Sequence, residues 1–439
     1  MRAFIHFFSR IGALLLSLYM LLGSVQGFTT SEFIYERAYG NPMKGFMPFY
    51  SEGGVDSAVE HSMEWFYIPL SALVTDDGEY RIAEGLEPYL DDISSRGNQA
   101  VFRVYLDYPA DKLGDKAVPQ FIWDMGVKKL PYDGYGGGVS PDYSDDRLID
   151  FLVDFVHEFG KACDGDSRIA YITTGLIGHW GEWHFSACPK AAPSKEQQAR
   201  VIAAFAESFT KTHVLTRYPG TPGTESGKLG YHDDSFAYET INPEHDWEFV
   251  PRLRRAHQLG IWRTQPIGGE FRPECQLPFL TAAGEYDGMQ PYDECVKQTH
   301  CSWLMMQRAF DTGLTAEQVK AANEASASLG YDFFVSRAAV KRACGETKVY
   351  VAVKNTGVAP IYADPAVFIG TADGEVRAEG CALPELMPGE TEVYTASLEI
   401  RSGDEVHIRI GSPAEGGNPV RFSNKGCTED GSLIVGVMS

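Results

Sequence analysis

Positive charge is scarce in this sequence. Lys plus Arg number 38 against 60 Asp plus Glu, a formal net charge of -22. Such a surface repels nucleic acid and anionic membranes, which argues against any phosphate-tracking role. Several motifs are also missing. No GxGxxG or Walker sequence supports a nucleotide-binding doubly wound sheet. No Cys-x-x-Cys pair occurs, which argues against a zinc ribbon. No Asn-x-Ser/Thr sequon is present, so surface N-glycans are not expected. After residue 27 no apolar run is long enough to span a bilayer.

What is present describes an exported globular protein. Hydrophobic residues make up 44% and charged residues 22% of the 439, an ordinary globular composition with room for two or three domains. Arg2 and Arg10 precede a leucine-rich run from Ile11 to Gly23, and Val25-Gln-Gly27 offers small residues at a cleavage site. This reads as a signal peptide over residues 1–27, with a retained anchor as the alternative, and places the mature chain outside the cell or in a periplasm. All eight cysteines follow it, and an even count in an exported chain predicts disulfides. Local pairs are expected: Cys163 with Cys188, and Cys275 with Cys295 or Cys301.

From about residue 28 to 330, short apolar runs alternate with helical segments. Strands are expected at Lys44–Tyr50, Met63–Leu70, Ala100–Tyr108, Ile169–Thr174, Val214–Tyr218, Leu229–Phe236, Ile261–Ile267 and Cys301–Met306. Between them, Leu148, Phe151, Leu152, Phe155 and Phe159 make an amphipathic helical stripe, and Ser194-Lys-Glu-Gln197 is a capping box. Eight such units predict an α/β TIM barrel, with an open parallel sheet as the rival. A Gly-, Tyr- and Asp-rich stretch, Gly134 to Tyr143, reads as a long loop along a cleft, with Tyr132, Tyr135 and Tyr143 available to stack on sugars. From residue 331 to 439, β-strand patterns separated by Asn355-Thr-Gly357 and Pro388-Gly389 turns predict a C-terminal all-β sandwich.

Chemistry concentrates at two strand ends. Gly178-His-Trp-Gly-Glu-Trp-His184 follows the fourth strand and sets Glu182 between Trp180 and Trp183, with His184 close by. Gly268-Gly-Glu270 stands at the end of the seventh. Barrel enzymes work at the C-terminal ends of their strands, so the two glutamates are expected to share the mouth. Paired carboxyl groups beside flat aromatic faces suit glycosidic bond cleavage. The indoles are expected to raise the Glu182 pKa by desolvation, and Arg263 or Arg272 to keep Glu270 ionised. Arg103, Asp107, Arg217, His232 and Asp233 are further polar candidates near strand ends. His179 and His184 lack the spacing of a helical zinc motif, so no metal is assigned.

The motifs Asn41-Pro-Met-Lys-Gly-Phe46, Gly178-His-Trp-Gly-Glu-Trp-His184, Gly268-Gly-Glu270 and Leu329-Gly-Tyr331 resemble secreted barrel proteins of the domain-of-unknown-function 4832 type. These are relatives of the β-galactosidase-like glycoside hydrolases of the 4/7 superfamily. The resemblance spans most of the mature chain. It implies that Glu182 is the acid/base, that Glu270 is the nucleophile, and that Trp303, after the eighth strand, meets the substrate. The superfamily usually carries Asn just before its acid/base Glu, where this chain has Gly181. The sequence therefore predicts a secreted, retaining glycoside hydrolase with a carbohydrate substrate and no cofactor. The alternative is a non-catalytic carbohydrate-binding or cell-surface protein on the same scaffold.

Overall fold

The structure, a computed structural model, describes residue 15 and residues 25–281, 286–343 and 346–439. Most of the expected signal peptide, and Cys344, lie outside the described residues. Two compact units are present, one built on Phe46–Val59 and Met63–Ala322, the other on the remaining termini with Glu60–Ser62.

The first unit holds an eight-stranded sheet: β1 Gly45–Met47, β2 Met63–Pro69, β3 Gln99–Tyr105, β4 Ile169–Thr173, β5 His213–Thr216, β6 Gly230–Phe236, β7 Ile267–Phe271 and β8 Trp303–Met305. From β2 to β8 each strand pairs in parallel with the next, and β8 neighbours β1. Just beyond β1, Trp65 donates to the Pro48 carbonyl (2.9 Å) and accepts from the Tyr50 amide (2.7 Å), which brings β1 to β2 and closes the barrel. This is the expected TIM-barrel architecture.

Helices α1 Ile82–Ser94, α2 Asp146–Cys163, α3 Lys195–Ser208, α4 Phe249–Arg255, α5 Pro273–Leu280, α6 Tyr292–Thr299 and α7 Ala316–Ser328 lie in the connections. The β1–β2 and β5–β6 connections carry no α-helix. Leu148, Leu152, Phe155 and Phe159 of α2 are all buried, as their spacing requires; removing one such aromatic ring costs roughly 3–5 kcal/mol. Ser194 and Gln197 form the expected reciprocal cap at the start of α3. The Gly134–Tyr143 stretch is not an open loop: Lys129–Tyr132 and Gly138–Pro141 pair as a ribbon. Of its tyrosines, Tyr132 and Tyr143 are buried, and only Tyr135 is exposed.

β7 departs from the expected register. Residues Ile261–Arg263 form a 3-10 turn, and the strand begins at Ile267, so Glu270 sits on the strand rather than after it. The two glycines that read as a strand end are strand residues under steric compulsion. A Cβ on Gly268 would lie 2.0 Å from the Trp303 ring, and one on Gly269 would lie 2.2 Å from the Asp233 carbonyl. Gly268 therefore faces the barrel interior, and by alternation so does Glu270. Trp303 is a correction as well. It is 1% exposed, stacks on Tyr171 (5.9 Å) and lies 6.0 Å from Trp65, so it is a layer of the barrel core and not a substrate platform.

Alternation along β6 sends His232 and Asp234 one way and Asp233 the other. Asp233 accepts from the Thr240 hydroxyl (2.7 Å) and the Ser235 amide (3.0 Å) and is buried, so it braces the β6 exit and does not line the mouth.

The second unit carries the expected β-sandwich. One sheet orders β9 Phe333–Ala343, β10 Glu346–Asn355 and β13 Thr391–Ser397. The other orders Phe28–Thr30, β15 Leu433–Met438, β14 Glu405–Ile410, β11 Val367–Thr371 and β12 Gly374–Arg377. Val335, Val351, Val353, Ile369, Ile408 and Val435 are buried in its shared core. The N-terminal strand thus belongs to the sandwich.

The expected local disulfides are not formed: Cys163, Cys188, Cys275, Cys295, Cys301, Cys381 and Cys427 are free thiols. Their sulfurs approach separate oxygens, Cys188 at 3.9 Å from the Leu130 carbonyl and Cys301 at 3.3 Å from that of Trp303. Burial pushes the Cys163 thiol up to about 12, which makes it unreactive at neutral pH. Among the described residues no helix is long and apolar enough to cross a membrane.

Two expectations follow for stability. Gly268→Ala forces the Trp303 ring to move and should destabilise by about 1–3 kcal/mol or more, read in a denaturant melt; Trp303→Leu should recover part of that loss in the double variant. Burial pushes the Asp233 carboxyl up to about 7. Its folded pKa is raised, so the unfolded chain releases the proton first, and the group's contribution to stability falls as pH rises from about 4, the ordinary Asp value, towards 7. The melting temperature of Asp233→Asn relative to wild type should therefore rise across that window, and a constant difference would refute the assignment.

Candidate active site

The mouth is built around a buried guanidinium. Arg103 sits on β3 in register with Tyr67 on β2 and Thr173 on β4. It is 1% exposed, and a buried cation is tolerated only when its donors are satisfied. Its Nε donates to the Thr173 hydroxyl (3.0 Å), one Nη meets Glu182 Oε1 (3.2 Å), and the other meets Asp234 Oδ1 (3.2 Å). Its guanidinium also lies over the rings of Trp65 (5.1 Å) and Tyr67 (5.5 Å).

Arg217, just past β5, closes the network. Its Nη1 is 2.5 Å from Glu182 Oε2 and its Nε is 3.3 Å from Asp234 Oδ2. His232 Nδ1 lies 2.8 Å from Asp234 Oδ1, and its Nε2 lies 3.2 Å from Arg103. The imidazole is thus the tautomer that donates from Nδ1 and accepts at Nε2. Burial lowers its pKa. Burial alone would raise Asp234, but His232, Arg103 and Arg217 outweigh it and hold the carboxylate well below its usual range. The mouth therefore carries two guanidiniums against two ion-paired carboxylates.

Glu182 reaches this network from a strained loop. Leu176, Trp180 and Trp183 have φ of 63°, 53° and 60°, in the left-handed region that costs an ordinary residue about 1–2 kcal/mol. The frame that holds them is polar and buried. The Trp180 amide donates to the Asp107 carbonyl (2.7 Å), and the Trp183 indole donates to the Gly175 carbonyl (2.9 Å). The Asp107 carboxylate accepts from the Tyr132 hydroxyl (2.5 Å) and from His179 Nδ1 (2.9 Å). The Ala187 amide donates to His179 Nε2 (3.3 Å), which fixes the proton on Nδ1. Asp107 and Trp183 are 1% and 8% exposed, so both serve the loop and neither meets a substrate.

Gly181 now has a physical reason. Its φ is 69°, and a Cβ there would lie 3.2 Å from Arg103 Cδ and 3.1 Å from the Val104 carbonyl. The space that an asparagine would need is filled by the arginine that binds Glu182.

Glu270 is the exception in this charged ring. Among the described residues no hydrogen bond or ion pair engages its carboxyl group. Its enclosed position, then the negative charges of Asp234 and Glu182, hold its pKa well above the usual carboxylate range, against the pull of Arg103 and Arg217. Arg272 pairs with Glu274 (2.7 Å) and Arg263 is exposed beside Trp262, so neither expected partner reaches it. The surroundings of the two glutamates differ from the expectation: Glu182 is ion-paired with two arginines, and Glu270 is the one whose pKa is pushed up.

Aromatic side chains continue from Tyr67 through Tyr108 (5.5 Å) to Trp180 (6.3 Å), then Tyr135 (4.9 Å). His184 joins them, 5.7 Å from Trp180 and with Nε2 3.4 Å from Glu182. Of the sequence candidates, the structure brings together Glu182, Glu270, Arg103, Arg217, His232, Trp180 and His184. It separates Asp107, Asp233, Trp183 and Trp303 from them. Asp234, Tyr67 and Tyr108 were missed. Period-two alternation from His232 and from Trp65 marks the first two; nothing in the pattern marks Tyr108.

No family model matches the sequence, and no curated protein does. Among solved structures the chain is similar to endo-glycoceramidase II from Rhodococcus sp. in a cellobiose-like isofagomine complex, at 11% identity and a TM-score of 0.42, covering 84% of this chain and 100% of that one. It is also similar to an alpha-amylase from Geobacillus thermoleovorans complexed with acarbose, at 12% identity and TM-score 0.33 over 77% and 88% of the two chains. A GH5-4 broad specificity endoglucanase from an uncultured bacterium gives 10% identity and TM-score 0.32 over 60% and 80%. Likeness at this level carries no argument about what this chain acts on.

Proposed function

We propose that this chain is an exported glycoside hydrolase that cleaves by a retaining mechanism between Glu182 and Glu270. The observation that carries the reading is the pair itself: one ion-paired carboxylate and one carboxyl without an ion pair, its pKa pushed well above the usual range, in a single barrel mouth. Glycosidic cleavage needs that pair, with environments that push the two pKa values apart. The rings of Tyr67, Tyr108, Trp180 and Tyr135 supply faces for sugar C–H groups. The exported location rests on the Arg2/Arg10 and leucine-rich N-terminal pattern.

The roles are exchanged relative to those implied by the family resemblance. Glu270 gives its proton to the leaving oxygen. Glu182, ion-paired with Arg103 and Arg217, attacks the anomeric carbon. Glu270, now a carboxylate, then takes a proton from the water that releases the sugar. His184, within reach of Glu182 Oε2, and Trp180 orient the ring beside the bond.

A second reading, carbohydrate binding without turnover, is favoured by one observation: each oxygen of Glu182 already has a guanidinium partner. Binding across a glycan panel with no product released would select it.

Activated aryl glycosides separate the roles, because a dinitrophenolate leaves without a proton. Glu270→Gln should lose about 10²- to 10⁴-fold in kcat/KM on a natural glycan and little on the aryl substrate. Glu182→Gln should lose activity on both. Glu270 must be protonated to act, and its folded pKa is raised, so wild-type activity should fall on a limb at higher pH than an ordinary carboxyl gives, and Glu270→Gln should lack that limb. The opposite pattern in the two variants would restore the roles implied by the resemblance.

A further inference from the structure

A cluster of positive charge lies at the end of α4. Arg252, Arg254 and Arg255 fall within the last turn of α4, and His257 follows. A groove of about 690 Å³ is lined there by Tyr218, Thr221, Glu225, Arg252, Arg255 and His257. Most of its charged groups are committed. Arg255 pairs with Asp246 (2.9 Å), and Glu225 folds back to accept from the Gly223 amide (2.8 Å).

Arg252 is different. It is half-buried, and its Nε donates to the Trp247 carbonyl (2.7 Å), yet no ion pair engages its guanidinium among the described residues. Burial lowers its pKa, and the like charges of Arg255 and Arg217 add to that. A half-buried, unpaired cation among like charges in a concave site is a standing attraction for an anion. The planar fork of a guanidinium matches carboxylate and sulfate oxygens two at a time.

The groove is coupled to the reacting pair by two side chains. Arg252 lies 4.6 Å over the Tyr218 ring, and Arg217 lies 4.9 Å over the same ring while it holds Glu182. We propose that this groove is a subsite for an anionic group of the glycan, a carboxylate or a sulfate ester, with Arg252 as its main ligand and His257 at its rim. The inference rests on the glycoside hydrolase reading and names its substrate class: an acidic polysaccharide.

Isothermal titration of the full chain tests it with three oligosaccharide sets. Oligogalacturonates carry carboxylates only, carrageenan oligosaccharides sulfates only, and cello-oligosaccharides neither. One anionic set should bind at least about tenfold more tightly than the neutral set, and which one binds identifies the group. Arg252→Gln should lose about tenfold on that set, while Arg254→Gln, the same charge change at an exposed residue that does not line the groove, should lose less than about twofold. Equal losses in the two variants, no loss in Arg252→Gln, or no anionic preference would each overturn the subsite. Those results leave the aryl glycoside assay untouched. Absent hydrolysis with the anionic preference intact would instead sink the catalytic reading alone.

Discussion

The mouth depends on the burial of one guanidinium. Arg103 is 1% exposed, and a cation that far from water costs several kcal/mol unless its partners are in place. Meeting that demand fixes much of the site. Thr173 must present its hydroxyl from β4, Asp234 must face inward from β6, and Glu182 must come down from its loop. Two carboxylates round one arginine then call for a second, which Arg217 supplies. Gly181 follows from the same cause, since the arginine side chain occupies the room above it. Once these charges are paired, Glu270 faces two carboxylates and two arginines already committed to each other, and its burial with those carboxylate charges pushes its pKa well above the usual range.

The loop that delivers Glu182 shows what this arrangement costs. Three bulky residues in the left-handed region would relax if the chain were free. They are held by the Asp107–His179–Tyr132 cluster and by the Trp183 indole bond to Gly175. Polar residues next to a reactive group are easily read as substrate ligands. Here Asp107 is a buried clamp, 1% exposed, with each carboxylate oxygen already bonded within the loop frame.

The fold was legible because its signals are local and repeated. Eight apolar runs, a helical stripe in α2 and a capping box at α3 each carry their own physics and needed no tertiary information. β7 was misplaced because Gly268 and Gly269 have two physical uses, to end a strand or to admit a close neighbour. Only the Trp303 ring and the Asp233 carbonyl decide between them. The site residues followed the same rule. Glu182, Glu270, Arg103, Arg217 and His232 were recognisable from type and strand-end position. Asp233 was preferred to Asp234 although alternation from His232 favours the latter. The ion pairing of Glu182 was not legible at all, because the indoles beside it in sequence suggested desolvation while the arginines that surround it come from other strands.

This distribution of charge also constrains what the mouth can recognise. Arg103 and Arg217 are each bound to both Glu182 and Asp234, so pulling either arginine away towards a substrate anion breaks a buried ion pair, at a cost of roughly 3–5 kcal/mol. The aromatic side chains from Tyr67 to Tyr135 address the apolar faces of a sugar and are indifferent to its charge. Any selectivity for an acidic sugar has to come from a cation that folding has left uncommitted. Beside the mouth, the half-buried Arg252 over Tyr218 meets that condition, in a chain whose surface otherwise repels anions. Under the proposed reading, catalytic and recognition charge are separated: Arg103 and Arg217 are paired with Glu182 and Asp234, and Arg252 is left without an ion pair one tyrosine away.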